Sequence, residues 1–174
     1  MEDEIARLRE ALEGMAPAAP VSPPSHTLDG LLTVYPLADV HMGLMAWGKE
    51  TGEDYDTSIA ADRVRSWVAR AVDASPASGT AVILGLGDLT HADDQSNMTP
   101  RSKHVLDVDT RHFRTLDVTI QALAYGSEYA ARKHSRVLVR ILPGNPDRNT
   151  YMAGMFALAE RNRPAPRAQT RTVQ

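Results

Sequence analysis

The chain has 174 residues and a formal net charge of −3, with 43% hydrophobic and 24% charged residues. These values are typical of one globular domain, and they lack the basic excess of proteins that coat nucleic acid. The chain has no cysteine, which excludes disulfides, thiolate metal sites and a cysteine nucleophile. No apolar run is long enough to span a bilayer, and the acidic N-terminus lacks the pattern of a signal peptide. We therefore expect a soluble, cytoplasmic protein with no membrane partner.

The N-terminal region predicts a helix followed by a linker. Residues 1–16 contain four apolar side chains at heptad-like spacing on one helical face, namely Ile5, Leu8, Leu12 and Met15. This pattern predicts an amphipathic helix that can mediate self-association. The proline-rich residues 17–26 predict an extended linker without a core of its own.

The globular part is predicted to span residues 27–162 as an alternating β-α-β-α-β-α chain. Short apolar runs predict buried strands, and apolar residues at helical spacing predict helices. The predicted strands are 31–38, 80–86 and 136–142, and the predicted helices are 62–73, 107–134 and 149–162. Near-continuous apolar strands that alternate with helices indicate an α/β fold with a mostly parallel sheet. The basic, proline-interrupted residues 163–174 predict a disordered tail.

Polar residues gather directly after each predicted strand. The three loops carry, in chain order, Asp39 and His41; Asp88, His91, Asp93 and Asp94; and Asn145, Asp147 and Arg148. Because the carboxyl ends of parallel strands lie along one edge of a sheet, we expect these loops to form one site. Carboxylate, imidazole and amide donors suit Mn²⁺, Fe, Mg²⁺ or Zn²⁺. Each loop alone is more typical of an ordinary polar turn than of a metal site, and Asp93 and Asp94 are interpreted as solvated charges.

Two of these residues have a spacing that bears on how they would bind an ion. In Asp39-x-His41, an extended backbone would direct both side chains the same way, so that both reach one ion. The metal-site prediction then depends on the conjunction of the three loops in a fixed order, each directly after its own strand.

The loop sequences DVH, GDLTH and GNPD resemble, in this order, the Asp-x-His, Gly-Asp-x-x-His and Gly-Asn-His-Asp blocks of calcineurin-like metallophosphoesterases. The resemblance covers about residues 31–162, and the segments between the blocks are similar to phage- or prophage-encoded members. It implies the N-terminal half of a four-layer α/β sandwich. It also implies hydrolysis of phosphoesters at a dinuclear metal site, with Mn²⁺ the leading metal and nucleic-acid phosphodiesters the leading substrate.

The resemblance also implies roles for individual residues. The metal ligands would be Asp39 and His41 on the first ion, Asp88 as a bridge between two ions, and Asn145 on the second. His91 corresponds to a histidine near the substrate that orients the phosphate or donates a proton, and a solvent-exposed loop histidine is the alternative. Arg148 is the candidate for a contact with the substrate.

Two features depart from the family pattern. The family has a histidine, acting as a transition-state donor or leaving-group acid, where this chain has Pro146, and Asp147 would orient that histidine. The family also has later histidines that complete both metal shells, whereas this chain has no histidine after His134. We therefore expect a truncated member. The rival hypotheses are a degenerate, non-catalytic relative that serves as an interaction module, and an unrelated α/β protein that binds a nucleotide without metal.

Three further predictions concern single residues. Trp47 is expected to be buried against the sheet, since burial is the commoner fate of a tryptophan. Asp107 is the candidate N-cap of the long helix. Gly126 is expected to be a weak point inside that helix, because glycine has low helix propensity.

Overall fold

The computed structural model describes residues 21, 22, 24–99 and 101–142. These residues form three strands, β1 (Leu28–Leu37), β2 (Ser78–Gly85) and β3 (Arg136–Ile141), and the strands pair in parallel in the order β1-β2-β3. The connecting helices are α1 (Gly48–Thr51), α2 (Thr57–Ala74) and α3 (His112–Ala131). The predicted α/β class with a parallel sheet is confirmed. The predicted helices over 1–16 and 149–162 and the predicted tail lie outside the described residues.

Helix α2 begins earlier than the predicted residue 62 because two carboxylates stabilise its first turn. The Asp56 side chain accepts a hydrogen bond from the Ile59 backbone N–H at 2.7 Å. The carboxylate of Asp109, from the segment before α3, accepts one from the Thr57 backbone N–H at 2.8 Å. These bonds satisfy amide donors that have no partner within the helix. The second bond also fastens the start of α2 to the start of α3.

Helix α3 begins later than predicted, and Asp107 is not its N-cap. Arg111 occupies the N-cap position. The preceding residues instead pair with the loop after β1: the Met45 N–H donates to the Asp107 backbone carbonyl at 3.0 Å, and the Asp109 N–H donates to the Gly43 carbonyl at 3.1 Å. The N-cap prediction was wrong because this long-range pairing holds the segment extended.

Both long helices pack on the same face of the sheet. Two right-handed crossovers that advance in the same direction place both helices on one side. The strand residues in the hydrophobic core accordingly have odd numbers: Tyr35, Leu37, Ala81, Ile83 and Ile141, with Val137 and Val139 packed against them. The helices contribute Val64, Val68, Val72, Ile120 and Leu123, among others. The described residues therefore form one helix layer on one sheet layer.

Gly126 brings α3 close to its neighbours, and the helix continues through it without a break. A Cβ atom at this position would lie 3.3 Å from Ile83 Cδ1 and 3.5 Å from Val68 Cγ1. The glycine therefore lets the backbone of α3 approach both the central strand and α2. The tight packing offsets the low helix propensity of the residue.

The other face of the sheet is apolar as well. Side chains alternate along a strand, and the register aligns Val34, Val82 and Leu138 across the three strands on this face. We call this surface the open face and define its apolar part as Leu32, Val34, Val82, Leu84 and Leu138. The core cluster of the described residues contains none of them, and Leu32 and Val34 are 57% and 45% exposed.

A buried hydrogen-bond network joins the strands to the helix ends at the edge opposite the predicted site. His134, only 1% exposed, accepts at Nδ1 from the Ser78 backbone N–H at 3.2 Å, and its Nε2 lies 2.6 Å from the Tyr35 hydroxyl. Because Nδ1 accepts, the neutral ring donates from Nε2 to Tyr35. The Tyr35 hydroxyl then donates to Ser75 Oγ at 2.6 Å, and Ser75 donates to the Val72 carbonyl at 2.9 Å. The network ties β1, α2, β2 and the end of α3 together.

Trp47 is 52% exposed, so the prediction of its burial was wrong. It occupies the N-cap position of α1, and the ammonium group of Lys49 lies 5.2 Å from the ring centroid. A cation over one face of an indole offsets part of the cost of its exposure. Neither long helix has a stretch apolar enough to cross a membrane in the part of the chain that is described.

Candidate metal centre

The loops after β1 and β2 bring together Asp39, His41 and Asp88. One ligand atom of each residue lies within 4.8 Å of those of the other two. Atoms bound to one ion at about 2.1 Å lie at most about 4.2 Å apart, so small side-chain rotations bring all three into bonding range. His41 and Asp88 are half-buried and Asp39 is exposed, which leaves the group open on one side. Within the described residues, the predicted ligands of the first two loops therefore form one cluster.

All three residues have a left-handed backbone, with φ values of 53° at Asp39, 47° at His41 and 50° at Asp88. Extended geometry therefore does not explain how Asp39 and His41 converge, and that part of the prediction was wrong. Side chains with a Cβ rarely adopt this region, which costs about 1–3 kcal/mol per residue when the position has to be held by its surroundings. Such strain clusters at functional sites.

Backbone hydrogen bonds hold the two loops together. The His41 N–H donates to the Asp88 carbonyl and the Met42 N–H donates to the Leu89 carbonyl, both at 2.9 Å. The His91 N–H donates back to the Met42 carbonyl, also at 2.9 Å. Met42 is 1% exposed, so this pairing is anchored in the core. The positions of the candidate ligands are thus set by the sheet and its direct extension.

His91 lies beside the cluster but is not one of its three members. Its ring stands at 78° to that of His41, and the two Nδ1 atoms are 3.5 Å apart. Burial and the neighbouring His41 lower the pKa of His91, whereas Asp107 raises it. A lowered pKa keeps the ring neutral at pH 7, with one N–H and one acceptor nitrogen. His91 is half-buried, which does not match the alternative of a solvent-exposed loop histidine.

The third predicted loop begins at the same edge of the sheet. The Leu142 N–H donates to the Gly85 carbonyl at 2.7 Å, which continues the pairing of β3 with β2. The predicted site residues of this loop lie outside the described residues, as does the proline that departs from the family pattern; they are Asn145, Asp147, Arg148 and Pro146. The second metal position stays a prediction.

A groove of about 190 Å³ lies on the side of α2, next to the loop that carries Asp39, and no sequence pattern predicted it. It is lined by Pro36, Leu37, Ala38, Val40, Tyr55, Ala60, Arg63, Val64 and Trp67. The Tyr55 hydroxyl donates to the Val40 carbonyl at 2.6 Å, which fastens the loop that carries Asp39. The Arg63 guanidinium lies 5.3 Å from the Tyr55 ring centroid and pairs with Glu53 at 3.0 Å on the surface. The groove therefore holds one cation, Arg63, and the loop that carries Asp39 in the same lining.

No protein-family model, curated protein or solved structure matches the chain. The arrangement of the cluster is therefore the main indication of function. It combines two carboxylates with one imidazole at the carboxyl ends of adjacent parallel strands, where open α/β sheets bind ligands. The donor set can hold a divalent cation.

Proposed function

We propose that the protein is a metal-dependent phosphoesterase that uses the cluster of Asp39, His41 and Asp88. The observation that carries this proposal is the convergence of the three ligand atoms within 4.8 Å on two consecutive strand-end loops. The order of the loop sequences, which resembles that of calcineurin-like metallophosphoesterases, gives the reaction: hydrolysis of a phosphoester, with nucleic-acid phosphodiesters the leading substrate.

The donor chemistry fits a hard or borderline divalent cation. Two carboxylates offset the charge of one such ion, and a neutral imidazole adds a nitrogen ligand, a combination suited to Mn²⁺, Fe, Zn²⁺ or Mg²⁺. Of these we propose Mn²⁺. A divalent cation supplies Lewis acidity toward phosphoryl oxygens. Asp88 comes from a different loop than the other two ligands. By the family resemblance it would bridge this ion and a second ion bound by Asn145.

Other side chains outside the cluster would act on the substrate directly. His91 directs Nδ1 toward His41, and its Nε2 would hydrogen-bond a phosphate oxygen. Arg63 stands in the adjoining groove and would attract the anionic phosphodiester backbone. Arg148 would add a substrate contact from the third loop.

The four-layer sandwich belongs to the same proposal. The helices and the sheet they pack on are two of the four layers that such a fold contains. The other face of this sheet, the open face, is apolar. In a sandwich of two sheets, the inner faces that pack together are apolar. The open face therefore supports the resemblance at the level of architecture.

The experiment is hydrolysis of bis(p-nitrophenyl) phosphate by the full chain with Mn²⁺, compared with the protein treated with EDTA. Asp88→Asn keeps the shape of the side chain and removes its charge, and it is expected to abolish turnover. The matched control is Asp62→Asn on the exposed side of α2, which is expected to keep full activity. Metal-independent turnover, or full activity of Asp88→Asn, would show that the proposed site is wrong.

A second candidate function is a non-catalytic interaction module. Pro146 favours it, because proline offers neither a side-chain donor nor a backbone N–H at the position where the family has a histidine. The two functions predict different results in the same assay. A module binds at most one Mn²⁺ and gives no turnover, whereas the phosphoesterase turns over only with metal.

A further inference from the structure

We propose that the open face is the docking site for the acidic amphipathic segment at residues 2–15 of the same chain. The face lies on the other side of the sheet from α2 and α3, and it combines an apolar centre with a basic border. The segment would occupy the face that a second sheet covers in the four-layer sandwich, so the two are alternatives for this face. The inference does not depend on the proposed hydrolysis, because it involves none of the candidate ligands.

The apolar centre has the extent that one helix needs. Val34, Val82 and Leu138 form a row across all three strands, and Leu32 and Leu84 flank this row. Side chains of this kind stabilise an assembly only when another layer removes them from water. The segment 2–15 offers the complementary surface, since Ile5, Leu8, Leu12 and Met15 share one helical face.

Charge selects this occupant over a second copy of the sheet. Two charged strand residues on the open face are Arg136 and Arg140, both exposed and both on β3. Residues 2–15 contain five acidic and two basic side chains, a net charge of −3. A second open face would bring two more arginines to the interface, whereas the acidic segment brings carboxylates.

The connection is long enough for this placement. β1 starts at Leu28 and itself forms one side of the open face, so the chain leaves the sheet beside the proposed site. The ten linker residues 17–26 span about 31 Å when extended at about 3.1 Å per residue. The central strand β2, with eight residues, is about 26 Å long at about 3.3 Å per residue. If the 14 residues formed a helix, it would be about 21 Å long and could return over the sheet.

The absence of cysteine makes a cross-linking test direct. The full chain with Ala11→Cys and Thr80→Cys places one thiol beside the apolar face of the segment and one on the open face, since Thr80 aligns with Leu32 and Arg136. A short bis-maleimide reagent should join the two within one chain, as read by mass spectrometry after digestion. The control pair, Ala11→Cys with Gln121→Cys on the exposed side of α3, should give several-fold less product.

Two further variants test the apolar and the charged part of the interface. In the Ala11→Cys, Thr80→Cys background, Leu8→Asp with Leu12→Asp should reduce the cross-link to the level of the control pair. Arg136→Glu with Arg140→Glu should reduce it several-fold, and Glu4→Arg, beside the apolar face of the segment, should then restore part of it. Equal cross-linking of both cysteine pairs would overturn the proposal, and so would products that join two chains, because those would identify a second copy as the occupant.

Discussion

The Tyr35→Phe substitution tests the buried network that joins β1 to the helix ends. The change removes one hydroxyl and keeps the ring, which is 3% exposed and packed in the core. The hydroxyl contacts Ser75 Oγ and His134 Nε2, each at 2.6 Å. The variant therefore removes two hydrogen bonds without creating a large cavity.

The expected loss of stability follows from what each partner can do afterwards. Ser75 keeps a bond, because its hydroxyl donates to the Val72 carbonyl at 2.9 Å. His134 is 1% exposed, and its Nε2–H loses the acceptor to which we assign it. A buried donor without a partner costs about 1–3 kcal/mol. We expect the free energy of unfolding to fall by about 2 kcal/mol, a large part of the stability of a small domain.

Urea denaturation followed by circular dichroism measures this loss, with an unchanged slope against denaturant showing that the native state is intact. Tyr129→Phe is the matched control, because its hydroxyl contacts the surface carboxylate of Asp73 at 3.1 Å and 3.2 Å. The control should unfold like the wild-type protein. If Tyr35→Phe lowered stability no more than Tyr129→Phe does, the network would not stabilise the fold as we describe.

The remaining predictions concern pH, a glycine and metal binding. Burial lowers the pKa of His134 in the folded protein below its ordinary 6.5, so the unfolded chain binds the proton more readily than the folded protein does. Stability should therefore be full above about pH 6.5 and fall below it, and His134→Gln should flatten a plot of urea midpoint against pH. Gly43→Ala should destabilise the protein more than Gly52→Ala does in thermal unfolding. The backbone φ is 90° at Gly43 and 93° at Gly52, so both substitutions are strained, but only a Cβ at position 43 would meet Thr115 Oγ1, at 2.7 Å. Mn²⁺ at about a hundred times its dissociation constant should raise the stability of the wild-type protein by about 2.7 kcal/mol and leave that of Asp88→Asn unchanged in the same unfolding assay.

The sheet was predictable because its strands are short apolar runs between helical patterns. The predicted ranges 80–86 and 136–142 differ from β2 and β3 by no more than two residues at either end. β1 begins before the predicted residue 31, since the Leu28 N–H donates to the Ala77 carbonyl and Leu28 pairs with Ser78. That pairing joins residues about 50 positions apart, which periodicity within one segment cannot reveal.

The proximity of Asp39, His41 and Asp88 was predictable for a topological reason. Parallel strands place successive loops at one edge, whatever the detailed backbone of each loop. The left-handed backbone at all three positions was not predictable, because it depends on the hydrogen bonds that cross between the two loops. Sequence patterns report which elements form, whereas these angles are set by contacts between elements.

The roles of two other residues depended on contacts that the sequence does not display. Asp107 precedes a helical pattern, which favours an N-cap, but its backbone carbonyl accepts from Met45 and its charge acts on His91. His134 follows the same helix with no pattern to mark it, yet it is among the most buried side chains. Both positions are set by pairing between distant segments.

Paramagnetic broadening of the histidine side chains tests the metal centre most directly. Mn²⁺ added in small amounts to the full chain broadens the NMR signals of nuclei near its binding site. We expect the imidazole signals of His41 to disappear first and those of His91 soon after, while the exposed His104 keeps its signals. Uniform broadening of all six histidines, or selective broadening of His104, would contradict a metal site formed by Asp39, His41 and Asp88.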